Sequence, residues 1–392
     1  MIRRPVIVAG ARPNFPKVAP LMRAFANRGV DALLVHTGQH YDANMSQGFF
    51  DALGISEPVG NLGIGSGSHA QQTAGVMTAF EAWLGEQDGV DAVLVVGDVN
   101  STVACALVAA KSGVPLGHVE AGLRSFDRSM PEEINRVVVD ALSTWLFTPA
   151  PEADENLLAE GVEPARIHRV GNIMVDSLLA VLDRARLRPV RQMLGLDRQF
   201  GLVTLHRPAL VDETDRLIDV MGTLHEVGRL VPLVFPIHPR TRAKIDAAGV
   251  EIDGRRVRLV EPQGYLDFLC LEANAALVFT DSGGIQEETS ILGVPCLTLR
   301  ENTERPITIT QGTNRLVGYE RATILAAVAD ALVTDRAPRS IPLWDGLTAE
   351  RIVDILRLPT EPPTFIPPSL LVDPSAEFAA SRHLEQPSLR LS

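Results

Sequence analysis

The sequence is poor in cysteine. Its 392 residues include only Cys105, Cys270 and Cys296, an odd number, far apart and each within an apolar segment. Such spacing is typical of small buried side chains in a reducing compartment, and it excludes a disulfide framework. Neither Cys-x-x-Cys nor Asp-x-Asp spacing occurs. We therefore expect no metal site and no bound cofactor.

Long apolar runs and an excess of positive charge are also missing. No run reaches the roughly 18 residues that cross a bilayer. The apolar stretch near the start ends after about five residues, too short for a secretory signal. The net charge of -12 argues against a general nucleic-acid binder. We expect a cytoplasmic protein whose partners include no membrane and no nucleic acid.

The sequence does contain a repeated alternation of short Val/Ile/Leu runs and helix-like segments. Continuous apolar runs are typical of strands covered on both faces, as in the parallel sheet of a doubly wound α/β fold. Because one core rarely grows beyond about 250 to 300 residues, the length favours two such domains. We place them at 1–169 and 170–358, followed by a proline-rich tail at 359–392.

Polar residues follow the predicted strands at their carboxyl ends, which is the edge of an open α/β sheet where ligands bind. They include Arg12, Asp98, Glu120, His206, Arg207, His238 and the segment 281–284. Carboxylates at a sheet edge lose hydration, so Asp98 and Glu120 indicate either a function or basic partners that hold them.

Other polar positions have an ordinary structural explanation beside a functional one. Ser282 has the residue type and place of a helix N-cap, yet the two glycines after it would let a phosphate approach the helix start. Lys17 has the pattern of a solvated helix residue. The glycine-rich segment 63–67 does not follow a predicted strand and favours a mobile loop.

The stretch GHVEAGLRSFDRSMPEEINR, residues 117–136, carries unusually many charges directly after an apolar run. Glu132 and Glu133 follow Pro131, as expected for an acidic first turn of a helix. This explanation does not extend to Glu120, which ends a separate predicted strand.

The sequence resembles the non-hydrolysing UDP-N-acetylglucosamine 2-epimerases in a series of ordered motifs: ARPNFPKVAPL, TGQHYD, GDVNST, GHVEAGLRSFDRSMPEEINR, TLHRP, PIHPRTR, YLDFL and TDSGGIQEE. The likeness runs from the first predicted strand to about residue 354. It implies a GT-B architecture, two Rossmann-like domains facing a central cleft, and a homodimer. It also implies a UDP-sugar substrate handled without NAD or a metal. UDP would be eliminated to leave 2-acetamidoglucal, then re-added after a proton returns to the opposite face of C2.

The resemblance also implies roles for individual residues. The positions that hold the diphosphate are Arg12, His206, Ser282, Gly283 and Gly284, with Lys17 close by. Further substrate-binding positions are Arg207, His238, Arg305 and, for the ribose hydroxyls, Glu288. The catalytic positions are Asp98, Glu120 and Glu132, together with His206.

The sequence departs from the family pattern in two places, of which Pro16 in place of an aliphatic residue is harmless in a first helical turn. After His-Arg-Pro many members continue with Glu-Asn, whereas this chain has Ala209 and Leu210. The identity of the sugar therefore stays open, and the same mechanism on a diacetamido uronic acid sugar is the nearest alternative. A GT-B glycosyltransferase and a nucleotide-sugar sensor without turnover are alternatives of other classes.

Overall fold

The computed structural model describes residues 2–38, 48, 50–334 and 336–358. The predicted tail at 359–392 lies outside them. Their strands form two parallel sheets, one in each half of the chain. The predicted class, α/β with two parallel-sheet domains, is confirmed. Within the described ranges, no helix combines the length and the apolar character needed to cross a bilayer.

The first sheet has seven strands within the described residues, in the order β3-β2-β1-β4-β5-β6-β7, all parallel. Alternate side chains of β1 enter two different hydrophobic clusters, Ile7 on one face and Val8 on the other. This double burial explains the continuous apolar runs in the sequence. The strands are β1 Pro5–Ala9, β2 Leu33–His36, β3 Gly60–Asn61, β4 Ala92–Val96, β5 Leu116–Val119, β6 Trp145–Thr148 and β7 Ile167–Arg169.

The second sheet has six strands within the same described ranges, in the order β10-β9-β8-β11-β12-β13, again all parallel. Val203 and Leu202 of β8 also enter separate clusters on its two faces. The strands are β8 Gly201–Thr204, β9 Leu233–Pro236, β10 Val257–Val260, β11 Val278–Thr280, β12 Cys296–Thr298 and β13 Asn314–Leu316.

Helices connect the strands, and several begin or end at residues suited to that place. Ser68 and Gln71 form a capping box, and Gly293 ends a helix with φ 71°. The α-helices are Phe15–Asn27, His69–Gly85, Asn100–Lys111, Pro131–Leu142, Pro151–Ala159, Ile173–Arg186, Val190–Met193, Pro208–Val211, Thr214–Val227, Pro239–Ala247, Tyr265–Asn274, Gly283–Leu292, Ile307–Thr310, Arg321–Val333 and Thr348–Arg357, and the 3-10 helices are Arg12–Asn14 and Pro164–Arg166.

The helix Thr348–Arg357 returns to the first sheet domain. Ile352, Val353 and Leu356 lie in the same hydrophobic cluster as Ile7 of β1. The Asp176 carboxylate fixes the start of this helix, because it accepts backbone hydrogen bonds at positions 348 and 349 at 3.1 and 2.8 Å. The core of the first domain thus includes residues from the far end of the described chain.

Candidate active site

A cavity of about 1310 Å³ opens where strand ends of the two sheets come together. Its lining includes most of the predicted site residues: Lys17, Asp98, His206, Arg207, His238, Ser282, Gly283, Gly284, Glu288 and Arg305. The predicted Glu120 and Glu132 are not part of this lining but lie close behind it. The side chain of Arg12 falls outside the described part of the chain, so its role stays a prediction.

Glu120 is held behind the cavity wall by Lys17. The Lys17 Nζ lies 2.5 Å from Glu120 Oε2, and both side chains are buried, which excludes a solvated Lys17. Glu120 has φ 72°, an uncommon backbone conformation for a residue other than glycine. Such strain persists only where the surroundings enforce it. The other oxygen, Oε1, is buried and has no hydrogen-bond partner among the described residues.

Asp98, after β4, is held by the helix Pro131–Leu142. Arg136 Nη2 and Nε lie 2.7 and 2.9 Å from Asp98 Oδ2, and Asn135 Nδ2 donates to the Asp98 carbonyl oxygen at 2.8 Å. Burial works against ionisation of Asp98, but the positive charges of Arg136 and Lys17 outweigh it and lower the pKa. Asp98 is therefore a carboxylate at neutral pH.

The two adjacent acids of that helix have different environments. Glu133 is buried, accepts hydrogen bonds from the backbone N–H groups of the 125–126 turn at 3.0 and 2.8 Å, and pairs with Arg136 at 2.5 Å. Glu132 is half-buried. Burial lowers the pKa of the cavity residue Arg207, and the charge of Glu132 opposes that shift. Glu133 is therefore held by structural contacts, whereas the catalytic role of Glu132 stays a prediction.

On the opposite side, the helix Gly283–Leu292 points its N-terminus into the cavity. Ser282 stands at the N-cap position, but its side chain makes no capping hydrogen bond. The capping interpretation therefore does not explain Ser282. A Cβ at Gly284 would meet only Met174 Cε, at an ordinary 3.7 Å. Exposed donors of a helix start attract anions, and nothing blocks their approach here.

A buried network of charges supports this helix start. Arg305 pairs with Glu287 and Glu304, each at 2.5 Å, and Arg300 pairs with Glu304 at 2.8 Å. Burial opposes the charge on Glu304, but the surrounding arginines outweigh it and hold the pKa of Glu304 well below its usual range. A Cβ at Gly283 would lie 2.3 Å from Arg305 Nη1, so this position has no room for a side chain.

His206 and His238 stand at neighbouring strand ends of the second sheet. The His206 Nδ1 lies 3.0 Å from Asp281 Oδ1, while Asp281 Oδ2 accepts the backbone N–H groups of His206 and Arg207 at 2.8 and 2.7 Å. Asp281 thereby orients a half-exposed imidazole toward the cavity. His238 lines the cavity and also caps a helix, since its Nδ1 accepts from Arg240 N at 3.2 Å.

Glu288 lies in a cluster of buried acidic groups. It accepts a hydrogen bond from Tyr265 Oη at 3.0 Å. Burial raises the pKa of Glu288 to about 7. Burial and the charge of Glu288 raise the pKa of Glu272 well above its usual range. These two acids retain a proton that water-exposed glutamates would lose.

This proton retention predicts a stability that falls as pH rises. Above about pH 4.5 the unfolded chain releases protons that the folded acids keep, so the free energy of unfolding decreases by about 1.4 kcal/mol per unit of pKa elevation. We expect Glu272→Gln to lose less thermal stability between pH 5 and pH 8 than the unmodified protein, by about 3 °C or more. The matched control is Glu261→Gln at an exposed position. Equal pH dependence of all three unfolding temperatures would contradict it.

A family model described as UDP-N-acetylglucosamine 2-epimerase matches residues 23–357. The chain belongs to this family. A crystal structure of the Methanocaldococcus jannaschii UDP-GlcNAc 2-epimerase in complex with UDP-GlcNAc and UDP is 42% identical, with a TM-score of 0.84 over 90% of this chain and 99% of that one. A second relative is named for a different substrate. The UDP-2,3-diacetamido-2,3-dideoxy-D-glucuronate 2-epimerase of Pseudomonas aeruginosa is 41% identical over 83% of this chain and 91% of its own length.

The architecture of this 2-epimerase family member is GT-B-like, as expected. A lipopolysaccharide outer core galactosyltransferase shares the fold at a TM-score of 0.51 and 13% identity, covering 91% of this chain and 99% of that one. At that identity the likeness concerns the fold alone.

The epimerase cavity contains residues that the sequence reasoning did not assign to it. The glycine-rich segment interpreted as a mobile loop contributes Gly63, Gly65 and Ser66, and Asn61 at the end of β3 lines the cavity as well. The second domain adds Tyr265, within the quoted motif YLDFL. The sequence signal for Tyr265 was the motif itself, since YLDFL is among those shared with the family.

Ala209 and Leu210, the two residues that depart from the family pattern after His-Arg-Pro, are not in the cavity wall. Leu210 is buried in the hydrophobic cluster of the second sheet, and Ala209 is exposed on the short helix Pro208–Val211. Neither residue belongs to the cavity lining. These two substitutions therefore give no direct contact through which the sugar would be selected.

Proposed function

We propose that this protein interconverts UDP-N-acetylglucosamine and UDP-N-acetylmannosamine. The observation that carries the proposal is the composition of the 1310 Å³ cavity, where Asp98 stands at a strand end of the first sheet with Glu120 bonded to the lining residue Lys17. An open helix N-terminus backed by Arg305 lines the same cavity from the second sheet. Such a cavity suits a ligand with a diphosphate at one end and a reacting sugar at the other.

The proposed reaction uses the carboxylates of the first domain and the helix start of the second. In the first step a carboxylate among Asp98, Glu120 and Glu132 removes the C2 proton while the C1–oxygen bond breaks, and UDP leaves with the bonding electron pair. The helix start and Arg305 stabilise the charge on the departing diphosphate. In the second step a proton returns to the other face of C2, and UDP adds back to C1. Acids on separate loops provide the two faces that this stereochemistry requires.

The experiment is incubation with UDP-N-acetylglucosamine in deuterated water. We expect deuterium at C2 and formation of the manno epimer as a UDP sugar, because the removed proton exchanges with solvent before one returns. Folded protein that gives neither product would refute the proposal. Retained UDP-sugar binding without exchange would instead support a sensor, and sugar transfer to an acceptor without exchange would support a glycosyltransferase.

The sugar itself is tested by comparing kcat/KM on two substrates. Relatives with about equal identity are named for UDP-N-acetylglucosamine and for a diacetamido uronic acid sugar, at 42% and 41%. We expect the first substrate to be preferred. A higher kcat/KM for the uronic acid sugar would show that the same mechanism acts on that substrate instead.

We also infer that the protein acts as a homodimer. The helix Pro131–Leu142, which carries Glu132, leaves Ile134 and Val137 exposed one turn apart on its outer side. A second copy of the chain would bury this apolar stripe. We expect a mass of twice 42.4 kDa by light scattering, and a monomer for the double variant Ile134→Glu, Val137→Lys. An unmodified protein that is monomeric at micromolar concentration would exclude the dimer.

A further inference from the structure

His118 and Asp140 form a buried pair close to the loops that carry Asp98 and Glu120. His118 lies on β5 and Asp140 on the helix Pro131–Leu142, and each side chain is about 1% exposed. The His118 Nδ1 lies 2.6 Å from Asp140 Oδ1. Neither residue lines the cavity, so the pair does not touch substrate.

The pair bonds to both loops that carry the carboxylates. The His118 Nε2 lies 3.0 Å from the carbonyl oxygen of Gly97, directly before Asp98. Asp140 Oδ2 accepts the backbone N–H of Gly122 at 3.0 Å, two residues after Glu120. One imidazole and one carboxylate therefore link the two loops through consecutive hydrogen bonds.

The loop after β5 has a backbone conformation that needs outside support. Glu120 has φ 72° although it is not a glycine, whereas Gly97 and Gly122, with φ 66° and 77°, adopt this region without strain. Left-handed backbone at a non-glycine position is retained only where neighbouring contacts enforce it. The bond from Gly122 to Asp140 is a contact of this kind, and His118 connects it to the Gly97 loop.

Counting hydrogen atoms defines the direction of each bond. The Gly97 carbonyl oxygen can only accept, so the His118 Nε2 donates to it. Burial raises the pKa of Asp140, but His118 and Arg124, whose Nη1 lies 2.7 Å away, outweigh burial and lower it. Asp140 is thus an acceptor, and one proton lies between its Oδ1 and the His118 Nδ1. Each polar atom of the pair has a partner.

We propose that His118 and Asp140 are positioning residues that fix Asp98 and Glu120 relative to each other for proton transfer at the sugar. The inference rests on the proposed function, because it assumes that these two carboxylates act on one substrate. A misplacement of about 1 Å by a residue outside the chemistry reduces rates by about 10²-fold. The helix start at Gly283 and Arg305, which we propose to hold the departing diphosphate, belong to the second domain, whereas this pair belongs to the first.

Two variants separate placement from charge. In His118→Asn the shorter amide still reaches Asp140 but places no donor at the former Nε2, so the Gly97 carbonyl oxygen loses its partner. In Asp140→Asn the amide nitrogen donates to Nδ1 of a neutral imidazole, and the amide oxygen accepts from Gly122. This second variant keeps the hydrogen bonds of both loops, and it removes the negative charge of Asp140 together with the second proton of the imidazole.

We expect His118→Asn to lower kcat by about 10²-fold while the calorimetric Kd for UDP stays within about threefold. Asp140→Asn is expected to keep kcat within about tenfold. A crystal structure of His118→Asn should show the Gly97 carbonyl and Asp98 displaced relative to Glu120. The inference is overturned by full kcat in His118→Asn, by a parallel loss of UDP affinity, or by an Asp140→Asn variant as slow as His118→Asn.

Failure of the inference can be distinguished from failure of the proposed function. An unmodified protein without deuterium incorporation at C2 refutes the function before any variant is compared. If the unmodified protein exchanges and His118→Asn exchanges equally fast, only the positioning role is wrong. The unfolding temperatures of both variants show whether a loss of kcat is due to unfolding. If His118→Asn does not fold, the kcat and the crystal structure of Asp140→Asn decide whether the pair positions the two loops.

Discussion

Replacing Glu132 with glutamine should lower kcat by about 10² to 10⁴ without changing the unfolding temperature, since a positioned acid or base contributes that factor. Glu132 is half-buried beside the cavity residue Arg207 and makes no hydrogen bond that holds the fold among the described contacts. It lies one turn before Asn135, which bonds to the Asp98 backbone, so the helix presents both toward the same loop.

The neighbouring acid is the matched control. Glu133→Gln removes the charge that accepts two backbone hydrogen bonds at 125–126 and the pairing with Arg136. Hydrogen bonds to charged groups contribute about 1.5 to 3 kcal/mol each, so the unfolding temperature should fall by about 5 °C or more. Full kcat in Glu132→Gln, or an equal loss of thermal stability in both variants, would contradict the assignment of Glu132 to chemistry and Glu133 to structure.

Gly284→Ala should weaken UDP binding by about 10- to 100-fold while slightly stabilising the protein. The added methyl group meets only Met174 within the fold, so the empty cavity tolerates it. Alanine in a helix also restricts the unfolded chain and stabilises by about 0.4 to 1 kcal/mol. In the complex the methyl group would occupy the space through which phosphate oxygens reach the helix donors, and a lost charged hydrogen bond has this magnitude.

Gly283→Ala provides the contrast. Its Cβ would lie 2.3 Å from Arg305 Nη1, and that guanidinium is fixed by Glu287 and Glu304. Both the unfolding temperature and the UDP affinity should fall, because the side chain cannot move without breaking buried ion pairs. Calorimetric titration with UDP and thermal unfolding of Gly283→Ala and Gly284→Ala test these two predictions. Unchanged UDP affinity in Gly284→Ala would exclude the diphosphate from this helix start.

The sequence predicted the two-sheet architecture because parallel strands that are buried on both faces require continuous Val/Ile/Leu runs. It also located strand-end groups such as Asp98 and His206, because each follows an apolar run directly and the end of that run marks the end of the strand. It did not predict that the helix Thr348–Arg357 joins the first core. Helical periodicity shows which face of a helix is apolar but carries no information about which core receives that face.

Contacts made across the fold were likewise beyond the sequence. Lys17 has the spacing of a solvated helix residue, and only tertiary packing places it against Glu120, about a hundred positions later. Ser282 fits an N-cap in sequence, and the missing side-chain hydrogen bond is visible only in three dimensions. Nothing in the local sequence connects His118 with Asp140, which lies 22 positions later.

The return of the last described helix means that this chain cannot be divided into two working pieces by a single cut. A fragment ending near residue 170 would keep the first sheet but lose Ile352, Val353 and Leu356 from its core. It would also leave the apolar side of the helix Phe15–Asn27 open to water, a surface that promotes aggregation. Separate expression of the first domain would require both the helix Ile173–Arg186 and residues 348–357, because both belong to its core.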